Sequence, residues 1–482
     1  MSFQVHSQDF IARSRDALAD APLQSALGKL RMGLSVRRRE AVAALPEFEA
    51  LREEAAALRD YTLATLDRQL ETFEAQVRAR GGEVHWAPDA ASARAIILEL
   101  CQRYGAKKVL KGKSMVTEEL ELNEHLEAHG LRCVETDLGE YIVQLRRERP
   151  SHIVAPAIHL RKEDVAESFA AHHVGREHAD RSTAEALMAE AREELRAHFL
   201  SAEVGITGAN FAIAETGSTV IVTNEGNGDL TQSLPKVHIA VTGIEKVVPT
   251  LEDASTLLRV LARSATGQEA SVSTTFSTGP RRPEDPDGPE AYHVVLVDNG
   301  RSAMLGTEFE AMLRCIRCGA CLNHCPVYGQ VGGHAYGSVY PGPMGAVLTP
   351  QLAGLDDTVH LPTASTFCGA CEAVCPVKIP LPSLLRRWRQ RAYDARLDGD
   401  RARWLLRLWA FFAARPRLYH PLLSAATMML GWLAGPGGSF RRLLGGKAWT
   451  ESRNFPAPEG GSFLAGLQGE EFAPTPRKAR SR

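Results

Sequence analysis

Two runs decide how this chain is read: CIRCGACLNHCP at residues 315–326 and STFCGACEAVCP at residues 365–376. Together they hold seven of its nine cysteines. The first places Cys315, Cys318, Cys321 and Cys325 at C-x2-C-x2-C-x3-C-P spacing, the pattern of two-cluster ferredoxins. The second sets Cys368, Cys371 and Cys375 in register with it and has Ser365 where the first has Cys315. The motif is complete once and one ligand short once.

The spacing has a topological meaning. Three close thiolates wrap one cubane, while the cysteine before the proline leads the chain away and ligates the other cluster. On that reading Cys315, Cys318, Cys321 and Cys375 hold cluster one, a [4Fe–4S] centre. Cys325, Cys368 and Cys371 hold cluster two and leave one iron without a cysteine. That iron is absent, as in a [3Fe–4S] centre, or it is met by Ser365, by water or by a partner's ligand. Zinc is the main competitor, but its ribbons use two separated C-x2-C knuckles rather than three overlapping thiolates and Cys-Pro. A disulfide framework belongs to small secreted chains. Cys101 and Cys133 stand alone in apolar contexts and read as inert core thiols.

Working outward, 482 residues suffice for two or three domains. A hydrophobic fraction of 44% and a charged fraction of 24% describe an ordinary globular protein. A net charge of −2 gives no electrostatic case for nucleic acid. The first twenty residues lack a continuous apolar segment, so a cytoplasmic location is expected.

Residues 1–80 read as a helical arm with no assigned chemistry, ending at Gly81 and Gly82. From Glu83 the pattern changes to short strands, EVHWA, KKVLK, RCVETD and HIVAPA, separated by helical stretches, and further strands follow to Asp298. This predicts an α/β domain over 81–299 with a largely parallel sheet. Residues 278–292 read as a surface loop and 299–314 as a helical connector into a two-cluster ferredoxin-type domain over 300–395. Within that domain GAVLTPQLAG suits a short helix, and 377–393 a helix packed on the cluster module.

The region 396–482 reads as helical and docking. Trp388, Trp404, Trp409, Trp432 and Trp449 concentrate near it among arginines. Pro421 is expected to shorten the apolar span LYHPLLSAATMMLGWLAG below the ~20 residues that cross a membrane. That leaves a buried hairpin, a docking face or shallow interfacial attachment, and after Pro456 a loosely ordered tail.

Neither a dinucleotide fingerprint nor a P-loop occurs. Polar turns beside strand ends place Lys111, Lys113, Asp137, Glu140, Glu215 and Asn224 as candidate pocket residues, although turn chemistry alone selects similar residues. His152 and His159 read as hydrogen-bonded structural histidines.

With these segments in view, the chain resembles the lactate utilization protein B family over nearly its whole length. The words LKGKSMVTEE, ETDLGEYIVQL, PSHIVAPAIH, AETGS, CIRCGACLNHCPVY, YPGPMGAV and CGACEAVCPVKIPL carry the resemblance. It implies an iron–sulfur subunit in L-lactate oxidation to pyruvate and an α/β part similar to the CoA-transferase and ribose-5-phosphate-isomerase group. It also implies a second run that lacks one cysteine as a rule. The implied companions are a cysteine-rich subunit similar to heterodisulfide reductase components and a small protein with another lactate utilization domain. The residues themselves support a one-electron relay. Two other readings stand beside it: an oxidoreductase whose own α/β site takes lactate or a CoA-like ligand, and a redox-sensing or scaffolding protein.

Overall fold

The computed structural model describes residues 5–397, 399–434, 438–442, 450 and 453–458. The chain forms two compact units, Met1–Ala395 and Arg396–Arg482.

The first unit opens with helices Phe10–Ala19, Ala21–Ala43, Phe48–Ala64 and Leu66–Ala79. Asp20 starts the second by accepting the N–H of Leu23, with Pro22 preset for its first turn. Ten strands follow: β1 (Glu83–Ala87), β2 (Lys108–Lys111), β3 (Arg132–Glu135), β4 (Val204–Gly208), β5 (Phe211–Ile213), β6 (Ser218–Thr223), β7 (Val237–Gly243), β8 (Val247–Val248), β9 (Ser273–Ser277) and β10 (Ala291–Val297).

Six strands, in the order β1-β10-β7-β4-β2-β3, form the expected parallel sheet. β7 is buried along its whole length, as a parallel strand covered on both faces must be. The chain passes from β2 to β3 at one edge and then returns to lay β4 on the other side of β2, so the winding reverses between β2 and β4. The crevice outside the carboxyl ends of strands at such a reversal is the usual ligand position of open sheets.

A second, four-stranded sheet, β8-β5-β6-β9, was not foreseen. Its β5–β6 hairpin turns at Gly217 (φ 67°), where a Cβ would lie 2.6 Å from the backbone nitrogen of Val77 in the fourth arm helix.

The arm does not stand apart. Leu27, Leu30 and Leu51 of the arm, Phe211 and Val220 of the small sheet, and Leu322, Val347 and Trp388 of the cysteine module belong to one buried core. In the module, helix Gly342–Ala353 and helix Leu381–Asp394 form as expected, and the Trp388 indole donates to the carbonyl of Val347 (2.9 Å).

Several expectations need correction. HIVAPA is not a strand: the ring Nδ1 of His152 takes the N–H groups of Val154 (3.0 Å) and Ala155 (3.1 Å), which would otherwise serve a ladder. The connector into the module is two 3-10 turns, Ser302–Met304 and Glu310–Arg314. The stretch between β2 and β3 is helical as expected, in two pieces, Met115–Glu119 and Leu122–Ala128, that meet at Glu121 in the left-handed region (φ 50°).

The second unit contains helices Asp400–Ala413 and Pro416–Ala434. The latter runs through Pro421 rather than stopping there. Among the described residues no helix is long and apolar enough to cross a membrane. Trp404, Trp409 and Trp432 are 61%, 59% and 81% exposed, so these helices present an apolar face to solvent. Trp449 and the tail from residue 459 lie outside the described residues.

Candidate iron–sulfur centre and adjoining cleft

The two half-motifs fold alike. Arg317 (φ 57°) and Phe367 (φ 55°) take the left-handed conformation before Cys318 and Cys368, and Gly319 (φ 73°) and Gly369 (φ 79°) take it after them. Each glycine opens a four-residue helix, Ala320–Asn323 or Ala370–Ala373, carrying the third position of its run. Repeated left-handed residues turn successive amides and side chains toward one concavity, the arrangement that receives anionic clusters.

The same turn is seen at the position where the runs differ. The N–H of Arg317 donates to Cys315 Sγ (3.4 Å), and the N–H of Phe367 donates to Ser365 Oγ (3.2 Å). Further N–H donors reach sulfur from Tyr328 to Cys325 (3.5 Å) and from Ile379 to Cys375 (3.4 Å). Amide–sulfur bonds of this kind stabilise thiolate and tune cluster potential.

Mutual electrostatics sort the thiols. Burial pushes Cys318 up to about 12, with Cys375 and Cys315 adding to it. Cys321 is raised well above its ordinary value by burial and then by Cys318, Cys315 and Cys375, with Cys371 a smaller contributor. In the other set, burial and then Cys325 raise Cys371 to about 12, and Cys368 contributes further. Exposed Cys368 is instead lowered by the N–H of Ala370. Four thiols, Cys315, Cys318, Cys321 and Cys375, thus feel one another, as do Cys325, Cys368 and Cys371, and all seven are unbonded to each other. Buried thiols crowded so closely resist ionisation unless a metal centre supplies positive charge. The donor set therefore fits iron–sulfur clusters.

Sequence reading missed the cations around them. Arg52 of the arm donates from Nε (3.0 Å) and Nη2 (2.7 Å) to the carbonyl of Cys375, and Arg38 donates to that of Val374 (3.0 Å). The arm, expected only to pack, thus grips the second run. A second group, Arg59, Lys246, Arg301 and Arg317, gathers about the buried carboxylates Glu119 and Glu245. Burial would raise Glu245, yet Arg301, Lys246 and Arg317 bring it down to about 2. Lys246 gives one donor to the carbonyl of Cys315 (3.2 Å). The surplus of cations offsets the negative charge of thiolate-held clusters. Arg317 lies within the motif itself and was the one legible signal.

The pocket candidates divide. A cleft of about 260 Å³ lies beyond the carboxyl ends of β2 and β4, and Lys113, Asp137 and Asn224 line it together with Lys246, Arg317 and Cys318. Lys111 and Glu140 do not line it. Lys111 is buried in ion pairs with Glu118 (2.6 Å) and Glu135 (2.7 Å), with Glu140 at 4.0 Å. Glu215 caps elsewhere, accepting the N–H of Leu251 (3.2 Å). His152 is buried, bonds Asn323 Oδ1 through Nε2 (3.0 Å) and is pushed down by burial to about 3, which fits its structural reading. His159 bonds Glu148 (2.7 Å).

Fold and site together define a two-cluster iron–sulfur protein joined to a parallel α/β domain. Residues 70–297 match the LUD domain and residues 311–379 the 4Fe-4S dicluster domain. Lactate utilization protein B of Bacillus pumilus (strain SAFR-032) is 44% identical over 95% of this chain and 96% of its own. The protein named "Uncharacterized electron transport protein YkgF" of Escherichia coli (strain K12) is 41% identical over 96% and 97%. The chain belongs to the lactate utilization protein B family. A solved duf162 family protein from Deinococcus radiodurans covers 48% of this chain and 98% of its own at 15% identity, with a TM-score of 0.28, too low to carry an argument. Membership supports a role in lactate utilization and electron transfer.

Proposed function

We propose that this chain is the iron–sulfur electron-transfer subunit of L-lactate oxidation to pyruvate. Cysteines Cys315, Cys318, Cys321 and Cys375 hold a [4Fe–4S] cluster. Cys325, Cys368 and Cys371 hold a second centre, [4Fe–4S] with a non-cysteine fourth ligand or [3Fe–4S]. The observation that carries this reading is the crossing of the last cysteines: Cys375 sits in the field of Cys315 and Cys318, and Cys325 in that of Cys371. Such crossing holds two clusters within one small module.

Bound there, the clusters supply one-electron transfer. The protein's own part is to exclude water with Ile316, Leu322 and Val377 and to hold charge with Arg38, Arg52 and Arg317. Its N–H groups at Arg317, Tyr328 and Ile379 set the sulfur donors. Partners in this reading are a cysteine-rich heterodisulfide-reductase-like subunit and a small lactate utilization domain protein. The exposed tryptophan face of the second unit is the surface offered for docking, in the cytoplasm or at the inner face of a membrane.

The test is an anaerobic preparation with iron and sulfide counted per chain and paramagnetic spectra recorded. Two centres are expected, with Cys368→Ser altering one signal and Cys318→Ser the other, and no lactate-dependent dye reduction by the chain alone. Zinc in place of iron, or lactate turnover without partners, would overturn the relay.

A further inference from the structure

The amino end of the parallel sheet carries two histidines and a carboxylate that take no part in the relay. β1 is an edge strand paired with β10, and Glu83 is the register partner of His293. Side chains two apart on a strand share a face, so Glu83 and His85 stand with His293 on one side of the sheet.

The three donor atoms form a compact triangle. His85 Nε2 lies 3.2 Å from His293 Nδ1, and Glu83 Oε2 lies 3.8 Å from the first and 3.6 Å from the second. A point equidistant from all three is about 2.1 Å from each, the length of a zinc bond to imidazole nitrogen or carboxylate oxygen. A hydrogen bond between the rings would account for the two nitrogens alone. The carboxylate stands too far from either ring for a hydrogen bond and at the right distance from a shared ion.

The surroundings suit a ligand set. His293 is 1% exposed, and the Tyr104 hydroxyl lies 3.0 Å from its Nε2. With the Nε2 hydrogen given to that oxygen, Nδ1 keeps its lone pair for the centre, and the bond on the far nitrogen fixes the ring. Burial lowers His85 and brings His293 down to about 4, which keeps both rings in the neutral form that ligates. The Glu83 side chain is 55% exposed, so a fourth position opens to water. Arg103 reaches the same carboxylate oxygen (3.6 Å) but lies closer to Glu99 (3.1 Å). Two imidazoles and one carboxylate favour a first-row divalent ion over calcium or magnesium, which take oxygen donors.

We propose that Glu83, His85 and His293 bind a zinc ion whose fourth ligand is water, tying the edge strand β1 to β10. The ion is separate from both clusters and stabilises the folded sheet, because the three donors are brought together only by folding.

The test adds zinc chloride to the anaerobic, cluster-loaded full-length protein, prepared without a histidine tag, and removes the excess by dialysis. Retained zinc is counted beside iron and sulfide, zinc-edge X-ray absorption is recorded, and the thermal midpoint is followed with and without zinc. One zinc per chain in a shell of nitrogen and oxygen, unchanged iron and a midpoint raised by zinc are expected. Losing a ligand costs more than the roughly 10–100-fold typical of an outer partner, so His85→Gln should weaken zinc binding by about a hundredfold or more and remove the zinc-dependent shift. Glu83→Gln, at an exposed position, should weaken it roughly tenfold. Both paramagnetic signals should persist in each variant. No retained zinc, a sulfur shell, or equal retention by the unaltered chain and His85→Gln would overturn the site and leave the relay untouched. Undiminished binding by Glu83→Gln would overturn it too. A preparation without iron would instead sink the relay reading.

Discussion

Ser365 stands at the one ligand position where the two runs differ. Its hydroxyl accepts the same N–H, two residues on, that Cys315 accepts through sulfur, so oxygen stands where a thiolate stands in the first run. Ser365→Cys should therefore add one iron per chain if cluster two is a three-iron centre, converting its oxidised-state signal to that of a four-iron centre on reduction. An unchanged spectrum and iron count would show that the position does not face the open iron. His238 bears on stability instead. It is buried on β7, bonded to Thr207 Oγ1 (2.8 Å), and burial with His293 brings it to about 3 from 6.5. Unfolding frees it to take a proton near 6.5, so below that pH the unfolded state binds the extra proton. Its contribution is complete above about 6.5 and falls by about 1.4 kcal/mol per pH unit toward 3. His238→Gln should flatten the decline of the thermal midpoint between pH 6.5 and 5; an unchanged slope would assign that decline to other groups.

At the scale of elements, Arg301 joins parts that the sequence keeps far apart. It forms a two-point pair with Glu119 (2.9 and 2.7 Å) and a third contact with Glu245 (2.8 Å), and Tyr340 of the cysteine module donates to the same Glu119 (2.7 Å). Removing the cation leaves Glu119 with no ion-pair partner among the described residues and Glu245 with its longer pair to Arg317 (3.4 Å). Arg301→Met should cost about 3–5 kcal/mol, read from the urea midpoint. Arg281→Met, which breaks an exposed pair with Glu290 (3.1 Å), should cost under about 1 kcal/mol. Equal costs would mean that the buried network does not brace the module. The second run is clamped in a similar way: Arg389 of helix Leu381–Asp394 stacks over Phe367 (4.2 Å) and donates to the carbonyl of Ser365 (3.3 Å). None of these pairings leaves a local pattern, because an isolated Arg reads as surface until its distant acceptor is known.

For the whole molecule, the division at Ala395 separates the cluster-bearing unit from the helices that expose Trp404, Trp409 and Trp432. The core around the cysteines draws on the arm, the small sheet and helix Leu381–Asp394, all within the first unit. A chain ended at residue 397 should keep its iron and sulfide and both paramagnetic signals. Loss of iron on truncation would mean that the second unit helps to hold the module.

An iron–sulfur module was legible because cysteine at two- and three-residue spacing is rare without a metal to explain it, and residues 311–379 match the 4Fe-4S dicluster domain. The parallel α/β class was legible too, since buried strands alternating with helices repeat in the chain itself. The false strand at 152–157 came from that same apolar pattern, which cannot register that His152 takes the amides of Val154 and Ala155. What only the tertiary structure decided is where charge and space meet: Arg38 and Arg52 over the second run, Lys246 and Arg317 beside Cys318, Lys113 in the cleft and Lys111 buried apart from it. Ligand spacing is written in consecutive residues. A cleft and its field are made by segments hundreds of residues apart, so they exist only once the chain has folded.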